Sequence, residues 1–354
     1  MPHLFEPLTL RGITLRNRIG VAPMCMYSYT NGMSNDWQLV HLGARAVGGV
    51  GLVIAEATAV EARGRITPDD AGIWSSAHIE PLTRVTQFIK QHGAVPGIQI
   101  AHAGRKASTA RPWDGGKPLP PEDSRGWQVI GPSPIPYNEG YQVPHELTRD
   151  EIREVQASFK AGAERALLAG FEWLEIHGAH GYLIQSFCSP LSNRRKDEYG
   201  GSLANRMRFL LETVQAVREI WPDRLPLAVR ISGTDWVDGG WTVEDSIELA
   251  RCLKDEGVDL VDCSSGGNSP HAHPSLGPGY QVPIAEAVRR EASIPTAAVG
   301  LITAPAQADE IIRNGRADLV LLGRELLRDP YWALHAAQVL KQPAPVPSQY
   351  LRAF

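Results

Sequence analysis

The sequence contains few cysteines and none of the short motifs in which cysteine usually binds a metal or forms a disulfide. The four cysteines of the 354-residue chain lie far apart, and no two of them form a CxxC pair. So few thiols in a chain of this length argue against a disulfide framework and indicate a reducing compartment. We therefore expect a cytoplasmic protein.

Runs of like charge and long apolar segments are also missing. The net charge is only -4, without a Lys/Arg-rich run or an acidic tail, which argues against nucleic acid and anionic membranes as partners. The longest apolar stretch, residues 47–60, is too short to span a bilayer and contains Glu56. The first residues, MPHLFEPLTLRG, lack the basic and apolar regions of a signal peptide.

What the sequence does contain is a repeated unit, in which an amphipathic segment ends in glycine and leads into a nearly continuous apolar run. The glycines are Gly93, Gly170, Gly257 and Gly315, each at the place where a helix would end. Continuous apolar runs are typical of parallel strands that are covered on both faces. The runs lie at residues 17–24, 51–60, 95–102, 172–178, 225–232, 260–265, 296–301 and 318–323.

These units predict a (β/α)₈ barrel (TIM barrel) that forms one domain over residues 1–354. A doubly wound sheet is the alternative, but GGVG at residues 48–51 lacks the GxGxxG spacing and leads from a helix into a strand. The segment PLTLRGITLRNR is predicted to be an N-terminal hairpin that closes the bottom of the barrel. Residues 104–144 are predicted to be a long loop after the third strand, which forms a lid or wall over the site at the C-terminal ends of the strands.

Residues that carry chemistry are expected at the C-terminal ends of the barrel strands. The last two ends carry Gly300, Gly323 and Arg324. Barrels often bind phosphate at these two places, where glycine lets backbone N–H groups approach and arginine adds a charged contact. We therefore predict a phosphate site there.

The fourth strand ends in EIHGAHGY, which contains His177, His180 and Tyr182. A zinc site would need a third ligand, for which Glu175, Glu56 and His102 are the nearest candidates, and no HxH, DxH or HExxH pattern supports one. Glu56 and Glu175 are equally well explained as interior carboxylates that pair with Arg230. A third interpretation is that both imidazoles donate hydrogen bonds to one ligand oxygen, with Tyr182 beside them as a proton donor. A structural role for the two histidines also stays open.

Motifs along the whole chain resemble the Old Yellow Enzyme family of flavin-dependent ene-reductases, most closely its thermophilic-like bacterial class. They include VAPMC, AHAGRKA, AHGYL, DEYGGSL, AVGLIT and the C-terminal QYLRAF. The resemblance implies bound FMN, with its phosphate near Gly300, Gly323 and Arg324. The positions that match ring-binding residues of the family are Ala22, Pro23, Met24, Cys25, Ala57, Gln99 and Arg230.

The resemblance also implies roles in the reaction. His177 and His180 match the pair that holds the carbonyl oxygen of the substrate, and Tyr182 matches the proton donor. Tyr27 matches a second phenol that binds substrate, and Cys25 a thiol that tunes the flavin and touches substrate. Arg352 matches an arginine that reaches into the site of the neighbouring subunit, which implies a homodimer or homotetramer.

The implied activity is a ping-pong reduction of the activated C=C bond of α,β-unsaturated carbonyl compounds, with NADPH or NADH as hydride donor. Two other interpretations stay open, namely a metal-dependent barrel hydrolase or aldolase that uses the two histidines, and a flavoprotein similar to dienoyl-CoA reductase. The sequence departs from the class at Met26, Gly178 and Ala204. Of these positions, Met26 is expected to alter the shape of the pocket or its contacts with the flavin.

Overall fold

Eight parallel strands close into a barrel, preceded by an antiparallel hairpin, in the computed structural model, which describes residues 2–354. The strands in chain order are β1 (Leu8–Leu10), β2 (Ile13–Leu15), β3 (Ile19–Val21), β4 (Leu52–Ala59), β5 (Val95–Ala101), β6 (Ile130–Gly131), β7 (His145–Glu146), β8 (Trp173–Gly178), β9 (Leu227–Ser232), β10 (Leu260–Ser264), β11 (Thr296–Ala298) and β12 (Leu319–Leu322). The barrel order is β10-β11-β12-β3-β4-β5-β8-β9, and β9 pairs with β10 to close the ring. The predicted (β/α)₈ barrel is therefore confirmed.

Helices follow the barrel strands and cover them from outside. They are α1 (Asp36–Val47), α2 (Ile79–Gln91), α3 (Arg149–Leu168), α4 (Leu183–Cys188), α5 (Leu203–Arg218), α6 (Val243–Asp255), α7 (Val282–Ala292), α8 (Pro305–Arg313), α9 (Arg324–Arg328) and α10 (Trp332–Leu340). Polar side chains at Asn35, Thr148, Ser202 and Thr242 cap the N-termini of α1, α3, α5 and α6. The repeated glycines all have positive φ just past a helix, as predicted from their spacing.

The barrel interior is apolar toward the N-terminal ends of the strands. Alternate residues of each strand point inward, and those of the lower part form one cluster that includes Val95, Trp173, Ala228, Leu260 and Leu319. Leu8 and Leu15 of the hairpin belong to the same cluster. The hairpin therefore closes the bottom of the barrel, as predicted.

Two strands are shorter than the sequence predicts. β3 covers only Ile19–Val21 of the predicted 17–24, and β11 only Thr296–Ala298 of the predicted 296–301. Beyond these ends Tyr27, Gly300 and Leu301 take positive φ, which lies outside the range of a regular strand. Hydrophobicity continues past the point where the backbone turns away, so the apolar runs overstate the strand lengths.

Two further segments agree with the sequence. α1 ends at Val47 and β4 begins at Leu52, so the GGVG segment is a helix–strand turn. A Cβ at Gly48 would lie 2.0 Å from the carbonyl oxygen of Pro330, which explains the glycine. The 104–144 loop contains two short 3₁₀ turns and β6, which pairs with β7. No helix within residues 2–354 is long and apolar enough to cross a membrane.

Candidate active site

The inward-facing residues of the barrel become polar toward the C-terminal ends of the strands. Gln99 of β5 pairs in register with Glu175 of β8, and Arg230 of β9 pairs with Asp262 of β10. Two residues further along β8, His177 lies in register with Arg230. All five side chains are buried. The upper barrel is thus lined with ionisable groups, which is unusual unless they serve a site.

Glu175, Arg230 and Asp262 form a charged layer, which we call the ionisable layer. Gln99 Nε2 donates to Glu175 Oε1 at 2.7 Å, and Arg230 Nε lies 3.0 Å from Asp262 Oδ2. The Arg230–Asp262 contact is an ion pair without an aligned hydrogen bond, and Glu175 Oε2 has no partner within residues 2–354. Burial raises the pKa of both carboxyl groups.

Above this layer, three rings from EIHGAHGY lie together. The ring of His177 is 5.0 Å from the ring of His180 and 5.0 Å from the ring of Tyr182, both at interplanar angles of 87°. Burial lowers the pKa of both histidines well below the ordinary value, and it raises the pKa of Tyr182. Both imidazoles are therefore neutral, and the phenol keeps its proton at physiological pH.

Hydrogen bonds assign the free ring nitrogens of the two histidines. The N–H of Ala179 donates to Nδ1 of His177 at 3.2 Å, so the proton of this imidazole is on Nε2. Nε2 of His180 lies 2.7 Å from the hydroxyl of Ser264. The other acceptor near the Ser264 hydroxyl, Gln281 Oε1, is farther away at 3.4 Å and already accepts from Ser265 Oγ at 2.6 Å. We therefore assign the Ser264 proton to the bond with His180 Nε2, which puts the imidazole proton on Nδ1 and leaves each imidazole one N–H for a ligand.

The turn that carries His180 and Gly181 is held by side chains on every side. Both residues have left-handed backbone, with φ of 62° and 73°. The N–H of His180 donates to Ser232 Oγ at 2.9 Å, and the N–H of Gly181 donates to Gln185 Oε1 at 2.5 Å. Gln185 is fixed in turn by Asp235, at 2.7 Å. The strained backbone persists because its polar groups are bound.

Lys106 is a site residue that the sequence reasoning did not single out, although it lies in the AHAGRKA motif. Its Nζ donates to the carbonyl oxygens of His180 and Gly267, both at 2.8 Å. It also lies over the rings of Tyr137 and Tyr182, at 4.4 and 5.3 Å. Lys106 therefore joins the loops that follow β5, β8 and β10.

The end of β3 supplies a second wall. Cys25 is partly buried, and burial raises the pKa of its thiol, so the thiol stays protonated. The ring of Tyr27 packs edge-on against Trp113 of the long loop at 5.7 Å. The N–H of Met26 donates to Glu56 Oε2 at 2.8 Å, and Tyr29 donates to Glu56 Oε1 at 3.1 Å.

Neither Glu56 nor Glu175 hydrogen-bonds or ion-pairs with Arg230, whose partner is Asp262, so the sequence interpretation of these two carboxylates is wrong in that respect. A β-bulge shifts the register of β4 between Ala55 and Ala57. The bulge re-aims Glu56 toward the end of β3 and brings Ala57 into register with Gln99. Ala57 and Gln99, which the sequence analysis predicted to contact the flavin ring, are therefore neighbours.

Glu56→Gln is expected to gain stability relative to wild type as pH rises. Burial raises the pKa of Glu56 to about 8, so the folded protein holds a proton that the unfolded chain loses near pH 4.5. The stabilisation from this proton is complete below pH 4.5 and disappears as pH rises through 8, whereas glutamine does not titrate. Urea unfolding at pH 5.5 and 7.5 should show a difference that moves by up to about 1.4 kcal/mol per pH unit. The exposed Glu122→Gln serves as control, and a difference for Glu56→Gln that is independent of pH would refute the interpretation.

The predicted phosphate residues surround one pocket. A cavity of about 160 Å³ is lined by Gly300, Thr303, Gly323, Arg324 and Arg328, among others. Arg324 is exposed and forms no ion pair within residues 2–354. A Cβ at Gly323 would lie 3.6 Å from Met24 Sδ, so the end of β3 adjoins this pocket. The pocket therefore connects with the wall that contains Pro23, Met24 and Cys25.

Two residues that the sequence analysis considered, Arg352 and His102, are not brought into the site. Arg352 is exposed near the C-terminus, where Tyr350 packs on Tyr331 and Phe354 on His335. His102 lies against Glu61 at 3.4 Å instead of beside His177. Within residues 2–354, no three His, Cys, Asp or Glu side chains come together as a ligand set for a metal.

Comparison with known proteins identifies what this arrangement is similar to. The model of the NADH:flavin oxidoreductase / NADH oxidase family matches residues 3–342. An NADPH dehydrogenase of Geobacillus sp. (strain WCH70) is 52% identical over 351 residues, which cover 99% of this chain and 98% of that protein. An NADPH dehydrogenase of Bacillus subtilis (strain 168) is 46% identical over 351 residues, with the same coverage of 99% and 98%.

Solved structures show the same fold. Morphinone reductase in complex with tetrahydroNAD matches with a TM-score of 0.80 and 25% identity, over 99% of this chain and 94% of that one. A 2-naphthoyl-CoA reductase complex matches with a TM-score of 0.84 and 28% identity, over 96% of this chain. This chain spans about half, 52%, of the length of that reductase.

Proposed function

Because the chain belongs to the NADH:flavin oxidoreductase / NADH oxidase family, we propose that it reduces the activated C=C bond of α,β-unsaturated carbonyl compounds. Its class as an FMN-dependent NAD(P)H oxidoreductase follows from the family and from NADPH dehydrogenase relatives that are 46–52% identical in sequence. The membership predicted from the motifs is thereby confirmed. The choice of substrate and the roles of individual residues belong to the proposal.

The residues present fit FMN at both ends of the cofactor. Arg324, which forms no ion pair within residues 2–354, suits a phosphate in the small pocket at Gly300 and Gly323, since guanidinium groups bind phosphate in two-point geometry. Arg328 also lines the pocket and is paired with Glu325. At the ring end, the buried guanidinium of Arg230 pairs with Asp262 but donates no hydrogen bond within residues 2–354, so its N–H groups are available to a ring acceptor. The pyrimidine end of the ring would be held by Arg230, Gln99 and Ala57, and its reactive end by Cys25. The remaining ring-binding positions are Ala22, Pro23 and Met24.

When bound, FMN would supply hydride transfer from NADPH or NADH to Cβ of the substrate. The protein makes Cβ electrophilic by binding the carbonyl oxygen. His177 and His180 each offer an N–H to that oxygen, on which negative charge develops during transfer. One such preorganised donor contributes roughly 3–4 kcal/mol to lowering the barrier. Tyr182 then donates its proton to Cα, and Tyr27 binds the substrate from the opposite wall.

The observation that carries this proposal is the group of three rings at the end of β8. The neutral imidazole of His180 and the protonated phenol of Tyr182 each lie 5.0 Å from the neutral imidazole of His177, above the ionisable layer. A metal site would use the same imidazoles as lone-pair donors together with a carboxylate. Here the nearest carboxylates point elsewhere, since Glu175 bonds Gln99 and Glu56 bonds the end of β3. Hydrogen-bond donation to an oxygen explains the arrangement better than metal ligation.

We also propose a homodimer or homotetramer in which Arg352 reaches the site of a neighbouring subunit. The C-terminal segment supports this, because Leu351, Arg352 and Phe354 are exposed and none of them contacts the site of its own chain. A cytoplasmic location stays a prediction from the cysteine content.

Deleting residues 350–354 is expected to raise the KM for an enone by about tenfold or more, because one charged contact is worth roughly 1.5–3 kcal/mol. The deletion should also shift the protein toward smaller species in analytical ultracentrifugation. Arg352→Ala separates the two effects, since it should raise KM without changing assembly. Unchanged kinetics for both variants would refute the shared site.

The activity itself is tested with purified full-length protein. It should be yellow, release FMN on denaturation and reduce cyclohexenone anaerobically with NADPH or NADH. An enoyl thioester in the same assay tests the alternative of a dienoyl-CoA-reductase-like enzyme. A colourless protein whose hydrolytic or aldolase activity is abolished by a chelator would instead support the metal-dependent alternative.

A further inference from the structure

The ionisable layer lies directly beneath the proposed flavin site, and the reaction as described does not use its carboxyl groups. Glu175 and Asp262 are each 0% exposed. One step lower on the same inward faces, the apolar cluster that contains Trp173, Ala228 and Leu260 separates the layer from the bottom of the barrel. The layer can therefore balance its charge only internally or against a group above it.

Counting charges shows that the layer cannot be fully ionised. The guanidinium of Arg230 supplies the one positive charge in the layer. Asp262 lies 3.0 Å from its Nε, whereas Glu175 receives only the neutral amide of Gln99. Two carboxylates beside one guanidinium would leave a net negative charge in a dry interior, which costs several kcal/mol. One proton held between the carboxyl groups makes the layer neutral, and the raised pKa of both agrees with this.

The surrounding titratable groups do not supply the missing charge. The charge of Arg230 affects the pKa values of four such groups outside the layer, namely Cys25, His177, His180 and Cys263. Burial keeps both thiols protonated and both imidazoles neutral. Lys106 also faces the imidazoles, but its Nζ is bound to two carbonyl oxygens on the loops above.

We propose that the ionisable layer holds one proton at neutral pH and takes up a second from solvent when the FMN above Arg230 is reduced. Reduction adds a hydride from the nicotinamide, so the flavin gains one negative charge and the nicotinamide leaves in its oxidised, positively charged ring form. Arg230 then faces two anions, the reduced flavin and the remaining carboxylate. Protonation of that carboxylate restores neutrality, and the proton returns to solvent when the hydride passes to the substrate. This inference rests on the flavin position given under the proposed function.

Potentiometric titration of the FMN-loaded full-length protein, without any unsaturated substrate, tests the proposal. If the protein takes up two protons with the two electrons, the midpoint potential falls with pH twice as steeply as it does when only one proton is taken up. We expect the doubled slope for wild type between pH 6.5 and 8.5, together with the absorption spectrum of an anionic reduced flavin. The double variant Glu175→Gln/Asp262→Asn should give half that slope. Either single variant retains one carboxylate and should therefore show the full wild-type slope. Asp318→Asn, at the bottom of the barrel, is the control and should keep the wild-type slope.

A one-proton slope in wild type, a neutral reduced flavin, or an undiminished slope in the double variant would overturn the proposal. A second measurement applies even if the double variant fails to bind FMN. The reduced-minus-oxidised infrared spectrum of wild type should gain the carbonyl stretch of a protonated carboxyl group, and its absence would be equally decisive against the proposal. Both measurements require only bound FMN, so a protein that fails to reduce enones can still pass them.

Discussion

Tyr182→Phe is expected to lower kcat for enone reduction by roughly 100- to 10,000-fold, which is the range for loss of a positioned general acid. The phenol is partly buried and protonated, 5.0 Å ring to ring from His177, and the short helix α4 begins directly after it. Phenylalanine preserves the ring and its packing and removes only the transferable proton. The reductive half-reaction with NADPH should proceed at the wild-type rate, as measured by the loss of flavin absorbance.

Tyr199→Phe is the matched control for this variant. It removes a phenol oxygen that lies 2.8 Å from Glu212, behind α4 and outside the site, and it should leave both half-reactions unchanged. Stopped-flow measurement of each half-reaction separates the two outcomes. If Tyr182→Phe reoxidised with cyclohexenone as fast as wild type, Tyr182 would not be the proton donor.

His177→Ala and His180→Ala are each expected to lower kcat/KM by about 100- to 1,000-fold, the usual effect of removing one donor to a developing oxyanion. Each variant should also weaken binding of a simple phenol, whose oxygen takes the place of the carbonyl oxygen. FMN content should stay close to that of wild type, since neither imidazole is proposed to bind the cofactor. The double variant should lose less than the product of the two single losses, because both donors act on one atom.

His41→Ala supplies the control for loss of a buried neutral histidine. His41 is on α1, and burial lowers its pKa to about 4, as at the site histidines, but it lies on the outside of the barrel. Its replacement should lower the free energy of unfolding without affecting phenol binding. If the His177 and His180 variants lost FMN content and phenol binding to the same extent, the pair would instead have a structural role.

The barrel could be predicted because its signals are local. Glycines just past the helices and apolar runs of strand length repeat along the chain, and both follow from backbone conformation and burial. The meeting of Gly300, Gly323 and Arg324 around one pocket could also be predicted, since these residues follow the last two strands. The strand ends could not, because positive φ at Tyr27 and Leu301 has no signature in hydrophobicity.

The supporting residues of the site escaped prediction for a different reason. Lys106, Ser264 and Asp235 meet the EIHGAHGY turn from other loops, and such contacts depend on how the loops fold over the barrel. Asp262 did have a signal, since it alternates with Leu260 and Ser264 on one face of β10. Glu56 was misplaced because a single-residue bulge reverses the alternation on which such arguments depend.

The central claim is that hydride goes to Cβ through the cofactor and that the proton goes to Cα through Tyr182. Isotope transfer tests it most directly, with cyclohexenone, anaerobic conditions and NADPH deuterated at the transferred position. We predict deuterium at Cβ of the product from the labelled nicotinamide in ordinary water, and at Cα from unlabelled NADPH in deuterated water. Deuterium from the nicotinamide at Cα, or a product without label from either source, would contradict the account.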